Sequence, residues 1–318
     1  MKFDNLFLMR RSLALAPAAQ ASTQHAPQIL SSVRPLTPAV GATLSLQDHG
    51  LSLSYPGDHA AAAEALHRVV MEHGVCFLRR GSATGNDEDN DDAALVSFAR
   101  HLGELDGPNP TFSPDPSSPL AVVAHDAENP PDGAEWHTDC SWSESPPFAS
   151  VLWPRVLAGN GGGDTLWMST SAAFEALPPG MQADLRGLDA VHDMGSFRNA
   201  YAAKGGARGI AEGHNAFGSA IHPIVRVHPV TGQECLFVNE TFTASVVGLM
   251  ADESRRLLTY LFDHLQRPDL QCRWSWRAGD VAVWDNRSTQ HYACADYAGY
   301  SRRMHRVTVL DDRIGGRT

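Results

Sequence analysis

The sequence predicts a mixed fold, a β core with flanking helices, of the jelly-roll type with two packed sheets. Three observations predict it. Short apolar, β-prone runs recur between residues 75 and 310, few stretches keep helical spacing, and the connections are long and rich in Pro and Gly. A two-sheet jelly roll buries strand segments that lie far apart in sequence.

Taken in order, residues 1–42 are rich in Ala, Ser, Pro and Gln with little periodicity, and read as a flexible N-terminal extension. Within them, MRRSLALAPAAQ (9–20) has an arginine pair before small apolar residues; Pro17 breaks that run, which favours a disordered leader over a targeting peptide. Residues 43–318 form one domain, with no internal repeat. Residues 44–55 alternate loosely, as a first strand would. Residues 59–73 read as a helix with Ala63, Leu66, Val69 and Val70 at helical spacing, ended by Gly74. Val75, Cys76, Phe77 and Leu78 form a buried strand. The run GSATGNDEDNDD (81–92) is a solvated acidic loop whose spacing does not fit a calcium-binding EF-hand. A second helix follows over 92–102, capped by Asp91 and Asp92. Residues 107–131 form a long loop around a site, with a strand at 120–123. Further strands are expected at 149–157, 165–168, 224–227, 234–238, 280–284 and 306–310. Helices are expected at 170–188, interrupted at Pro178 and Pro179, and at 252–265.

Composition narrows the function. The chain has 318 residues, 43% hydrophobic and 19% charged, enough for a sizeable core. A net charge of −11 excludes nucleic acid as a partner, since phosphate binding needs a basic face. Five cysteines, with no CxxC pair, argue for reduced thiols and a cytoplasmic protein; organelle targeting through the extension is the weaker alternative. No run of 18 apolar residues exists, so no membrane helix is expected.

The chemistry sits at His137-Thr138-Asp139 and His291. In an extended segment residues i and i+2 share a side, so His137 and Asp139 can grip one ion, and a distant histidine completes one face of an octahedron. Two histidines and one carboxylate leave positions open, as in nonheme ferrous oxygenases. His-x-Asp alone says little in a chain with 15 histidines. Its surroundings carry more. The stretches EWHTDCSW (135–142), GGDTLWMS (162–169), HPIVRVHPVTG (222–232), FVNETFT (237–243), WDNRSTQHYA (284–293) and RRMHRVTVL (302–310) occur in this order.

In these stretches the sequence resembles the taurine/2,4-dichlorophenoxyacetate dioxygenase family of Fe(II)- and 2-oxoglutarate-dependent enzymes, over roughly residues 75–311. The resemblance implies a double-stranded β-helix, Fe(2+), 2-oxoglutarate as cosubstrate and dioxygen. It implies His137, Asp139 and His291 as iron ligands and Thr165 and Arg302 as 2-oxoglutarate contacts. Arg306 would lie near a substrate anion. Arginine forks bind carboxylates bidentately, which lysine does not reproduce. Arg303 competes with Arg302, but only Arg302 keeps the four-residue spacing that puts it on the face of Arg306.

The reaction implied is hydroxylation of a C–H bond in a small, anionic substrate (a sulfonate, alkyl sulfate or carboxylate), with succinate and CO2 as coproducts. Retention of Asp139 argues against halogenation. The taurine enzyme's histidine and tyrosine are missing from the loop GELDGPNPTFSP (103–114), where Asn109 and Phe112 are the substrate-contact candidates, and Gly133 replaces its asparagine. Two other classes stand as alternatives: a non-catalytic Fe(II)/2-oxoglutarate sensor, and a zinc hydrolase on a cupin-like barrel. A homo-oligomer is left open.

The remaining singled-out residues have structural readings. His222 and His228 are turn or core residues. Trp274, Trp276 and Trp284 are core. Asp285 and Asn286 form the turn that delivers His291, and Asn239 shapes either the pocket or a turn. Gly161, Gly162 and Gly163 are no phosphate loop, since no GxxxxGK[ST] follows.

Overall fold

A computed structural model describes residues 31–53, 55–79, 92–108, 113, 115–131 and 134–311. Asn109, Phe112, Gly133, Asp91 and the acidic run up to it lie outside them. The strands are β1 Arg34–Pro35, β2 Ala42–Leu44, β3 Val75–Leu78, β4 Ala121–His125, β5 Ala149–Val156, β6 Thr165–Ser169, β7 Asp189–His192, β8 Ala220–Pro223, β9 Val225–Val227, β10 Glu234–Leu236, β11 Thr243–Val246, β12 Gln271–Trp274, β13 Val281–Asp285, β14 Thr289–Ala293 and β15 Arg302–Val309. The helices are α1 His59–His73, α2 Asp92–Leu102, α3 Thr170–Glu175, α4 Pro179–Leu185, α5 Phe197–Phe217 and α6 Ala251–Leu265.

A seven-stranded sheet runs β1-β2-β3-β13-β5-β15-β4, and a three-stranded sheet runs β12-β6-β14. Period-2 alternation explains how the large sheet is used on both faces. On β3, Cys76 and Leu78 join the core under α1 and α2, while Val75 and Phe77 join the core shared with the small sheet. β13 does the same, with Val281 and Val283 on one side and Ala282 and Trp284 on the other. Between the sheets Phe77 stacks on Trp274 with ring centroids 4.2 Å apart, and meets Trp167 edge-on at 5.1 Å. Trp274, Trp276 and Trp284 are therefore core residues, as expected.

The elements differ from expectation in four places. Residues 44–55 are not one strand: Leu46, Leu51 and Leu53 are buried from turns, packing in the α1 core. Their loose alternation reports burial of separate leucines rather than a ladder. The expected flexible stretch before residue 43 contains β1, paired antiparallel with β2, and a buried Val40. α5 was not expected. Its glycines depress helical propensity, and two helical pieces meet at Gly205 and Gly206, which leave helical geometry. The last strand begins at Arg302 rather than Arg306, which puts both arginines on one ladder.

Candidate active site

The centre of the site is a two-residue β-bridge. His137 N–H donates to the His291 carbonyl at 3.1 Å and His291 N–H donates to the His137 carbonyl at 2.9 Å. That brings the imidazole centroids to 4.1 Å. His137 Nε2 lies 3.9 Å and His291 Nε2 4.0 Å from Asp139 Oδ1. One ligand atom from each residue falls within 4.8 Å of the others, the only such His/Cys/Asp/Glu group among the described residues.

Each donor is prepared by its neighbours. Nδ1 of His137 lies 3.0 Å from the Glu135 carbonyl. A carbonyl only accepts, so Nδ1 donates there, and Nε2 is the nitrogen turned toward Asp139. Burial, then the neighbouring His137, pushes His291 down to about 3, which keeps its imidazole neutral. Burial alone would raise the Asp139 carboxyl. The Arg306 guanidinium, with Nη1 2.9 Å from Oδ1, and the two imidazoles outweigh it and hold the group well below the usual carboxylate range. Ser150 donates to Oδ2 at 3.1 Å.

Asn286 fixes the Asp139 main chain. Its Oδ1 accepts from Asp139 N–H, and its Nδ2 donates to the Asp139 carbonyl, both at 2.9 Å. The next residue, Cys140, has φ 53°, the one left-handed non-glycine among the described residues. Beneath this bend, His222 Nε2 lies 3.0 Å from the Ser141 carbonyl, and Asn239 Nδ2 donates to the Ser141 hydroxyl at 3.0 Å. His222 is thus a core residue. Asn239 also caps its own turn, accepting from Phe242 N–H. His228 is buried against Asp285, 2.7 Å away.

Along β15, Arg302, Met304, His305, Val307 and Val309 are buried, Arg306 is half-buried and Arg303 is exposed. Arg302 is 4% exposed; Nη2 donates to the Gly163 carbonyl at 2.8 Å, and its buried Nε has no partner. Among the described residues no carboxylate lies within ion-pair distance of it. Thr165, two residues after that carbonyl, is buried, with Oγ1 accepting from Trp276 Nε1 at 3.0 Å. Asn109 and Phe112 lie outside the described residues.

A cavity of about 510 Å³ opens beside His137, with Phe197, Phe242, Ala293, His125 and Tyr297 in its wall. Sequence reasoning named none of these five as site residues. Tyr297, an aromatic six residues after His291, left a signal; His125 lies two residues beyond the strand expected at 120–123 and left none. Phe197 left none, since its helix was not read.

The bridged histidines and the carboxylate between them form a group that could hold a metal ion, a donor set of the kind nonheme metal oxygenases use. The comparisons agree. The chain matches the taurine catabolism dioxygenase TauD, TfdA family over residues 32–308. It is 33% identical over 307 residues to an alpha-ketoglutarate-dependent sulfate ester dioxygenase of Pseudomonas putida, covering 94% of this chain and 95% of the relative. It is 31% identical over 299 residues to an alkylsulfatase of Acinetobacter baylyi, covering 89% and 86%. A taurine dioxygenase structure from Burkholderia xenovorans superposes with a TM-score of 0.69 at 30% identity, covering 88% of this chain and 89% of that one. The chain belongs to the TauD/TfdA family of alpha-ketoglutarate-dependent dioxygenases, which are oxidoreductases.

Proposed function

We propose that the chain is an Fe(II)- and 2-oxoglutarate-dependent dioxygenase that hydroxylates a C–H bond of a small anionic substrate, a sulfonate, alkyl sulfate or carboxylate, releasing succinate and CO2. The observation that carries the reading is the convergence of His137 Nε2, His291 Nε2 and Asp139 Oδ1 within 4.8 Å. The donor set fits a ferrous ion: two imidazole nitrogens and one carboxylate oxygen, with room for exchangeable ligands. Bound there, iron supplies the chemistry that couples 2-oxoglutarate decarboxylation to substrate oxidation by dioxygen.

The chain's own residues do the rest. His137, Asp139 and His291 hold the ion. Arg302 offers its fork to the distal carboxylate of 2-oxoglutarate, and its unpartnered Nε fits that role. Thr165 adds a hydroxyl to the same end. Arg306 faces the substrate anion while its Nη1 steadies Asp139. Phe197 and Phe242 exclude water from the substrate's apolar part. Relatives named for sulfate esters and alkyl sulfates support the anionic class. We read the two packed sheets as a double-stranded β-helix and residues 43–318 as the dioxygenase domain, its sheet edge sealed by β1. Among the described residues no helix is long and apolar enough to cross a membrane. A cytoplasmic enzyme acting on a free small molecule fits the reading.

The test is succinate release with Fe(II), ascorbate and a panel of sulfonates, alkyl sulfates and aryloxy acids, with sulfite and aldehyde detection. Coupled succinate from at least one anionic substrate is expected. Substrate-independent behaviour across the panel would favour a sensor, and anaerobic turnover with zinc would favour a hydrolase.

A further inference from the structure

Arg302 is held in a cradle that extends into the substrate cavity. On one side lies Gly163: a Cβ there would come within 2.5 Å of Arg302 Nε and 2.6 Å of its Cδ. Gly163 has φ +85°, so an L side chain would be strained there even without the clash. On the other side lies the Tyr297 ring, whose centroid is 5.4 Å from the guanidinium carbon. Tyr297 is only 2% exposed, and its hydroxyl lies 2.9 Å from Nδ1 of His125. His125 is also the residue directly opposite Arg302 in the β4–β15 ladder. Directly opposed residues share a sheet face, so His125 and Arg302 stand side by side with Tyr297 against both. His125 and Tyr297 both line the cavity next to His137.

We propose that His125 and Tyr297 are positioning residues for 2-oxoglutarate: the hydrogen bond between them fixes the Tyr297 ring, and the ring holds the Arg302 fork in the plane its carboxylate requires. An arginine side chain has four rotatable bonds, and holding them before the ligand arrives reduces the ordering cost of binding. Gly163 fixes one face of the fork and supplies one acceptor; the Tyr297 ring packs against the other. The inference rests on the assignment of Arg302 to 2-oxoglutarate.

The experiment is calorimetric titration of full-length, Mn(II)-loaded protein with 2-oxoglutarate, with Mn(II) affinity measured separately by electron paramagnetic resonance. Tyr297→Phe and His125→Leu keep the packing and remove the hydrogen bond. Each is expected to weaken 2-oxoglutarate about three- to tenfold, the scale of one hydrogen bond, with Mn(II) affinity unchanged. His125→Asn retains a polar group at the Nδ1 position, and should bind within about twofold of wild type on the same scale. Wild-type affinity in Tyr297→Phe and His125→Leu would overturn the proposal, as would equal weakening in His125→Asn and His125→Leu. Loss of Mn(II) affinity in Tyr297→Phe would overturn it too, since the effect would run through the metal. Arg302→Ala separates the two levels: normal binding there defeats the Arg302 assignment itself, whereas weak binding there with normal binding in the other variants defeats only the positioning role.

Discussion

His137 and His291 exchange both main-chain hydrogen bonds across their bridge, so backbone pairing aims the two imidazoles at Asp139. His137→Ala is expected to abolish Fe(II) and Mn(II) binding and, with it, succinate release; retained metal binding by equilibrium dialysis would contradict the ligand set. Asn286 does for Asp139 what the bridge does for the histidines. Asn286→Ala removes the side-chain partner of three main-chain groups, the Asp139 N–H and the Asp139 and Pro147 carbonyls, costing about 1–3 kcal/mol of stability. Mn(II) affinity should fall about tenfold, as for other groups that orient metal ligands. Chemical denaturation and Mn(II) titration read both effects. Sequence made part of this legible. The i, i+2 spacing of His137 and Asp139 needs no tertiary knowledge, and strand alternation alone separates inward Arg302 from exposed Arg303. The Asn286 clamp was not legible, because it joins residues 147 apart through side-chain geometry. His125 was passed over for the same reason: its partners lie on another strand and in a later loop.

At the scale of elements, short strands with buried faces on both sides do the structural work. β3 and β13 were legible because continuous apolar runs of four residues bounded by glycine or polar residues have few other uses. Phe77 is the sharpest test of how those strands hold the small sheet against the large one. It is fully buried and touches Trp167 and Trp274. Phe77→Ala should cost about 3–5 kcal/mol, read as a lower denaturation midpoint at unchanged m-value; a loss below about 1 kcal/mol would mean the inter-sheet core re-forms around the cavity. α5 shows where pattern reading fails. Gly205 and Gly206 interrupt its period, and it carries Phe197, so the cavity wall vanished from the sequence reading together with the helix.

At the scale of the whole molecule, burial of titratable groups sets how the fold responds to acid. His192 is fully buried beneath the segment that follows Asp139, with Nδ1 3.1 Å from the Ser141 hydroxyl. Burial, then the nearby His222, pushes it down to about 3 from its ordinary 6.5. A folded-state value below the unfolded one means the unfolded chain binds the proton first. The stability involved is therefore fully present above about pH 6.5 and is lost as pH falls toward 3. The melting temperature should decline across that window, and His192→Asn should flatten the decline; parallel curves would show that other groups carry it. The charge balance is also a whole-molecule property. In a chain of net charge −11, two arginines lie on one strand, Arg302 buried and Arg306 paired with Asp139 at 2.9 Å.

The central claim is that the three convergent donors and Arg302 make an oxidising site driven by 2-oxoglutarate. The most direct measurement is succinate formed per substrate consumed, in the purified full-length protein with Fe(II), with and without dioxygen, for an alkyl sulfate series. The account predicts oxygen-dependent succinate in proportion to released sulfate, abolished by His137→Ala. Sulfate release without oxygen or without succinate would contradict it.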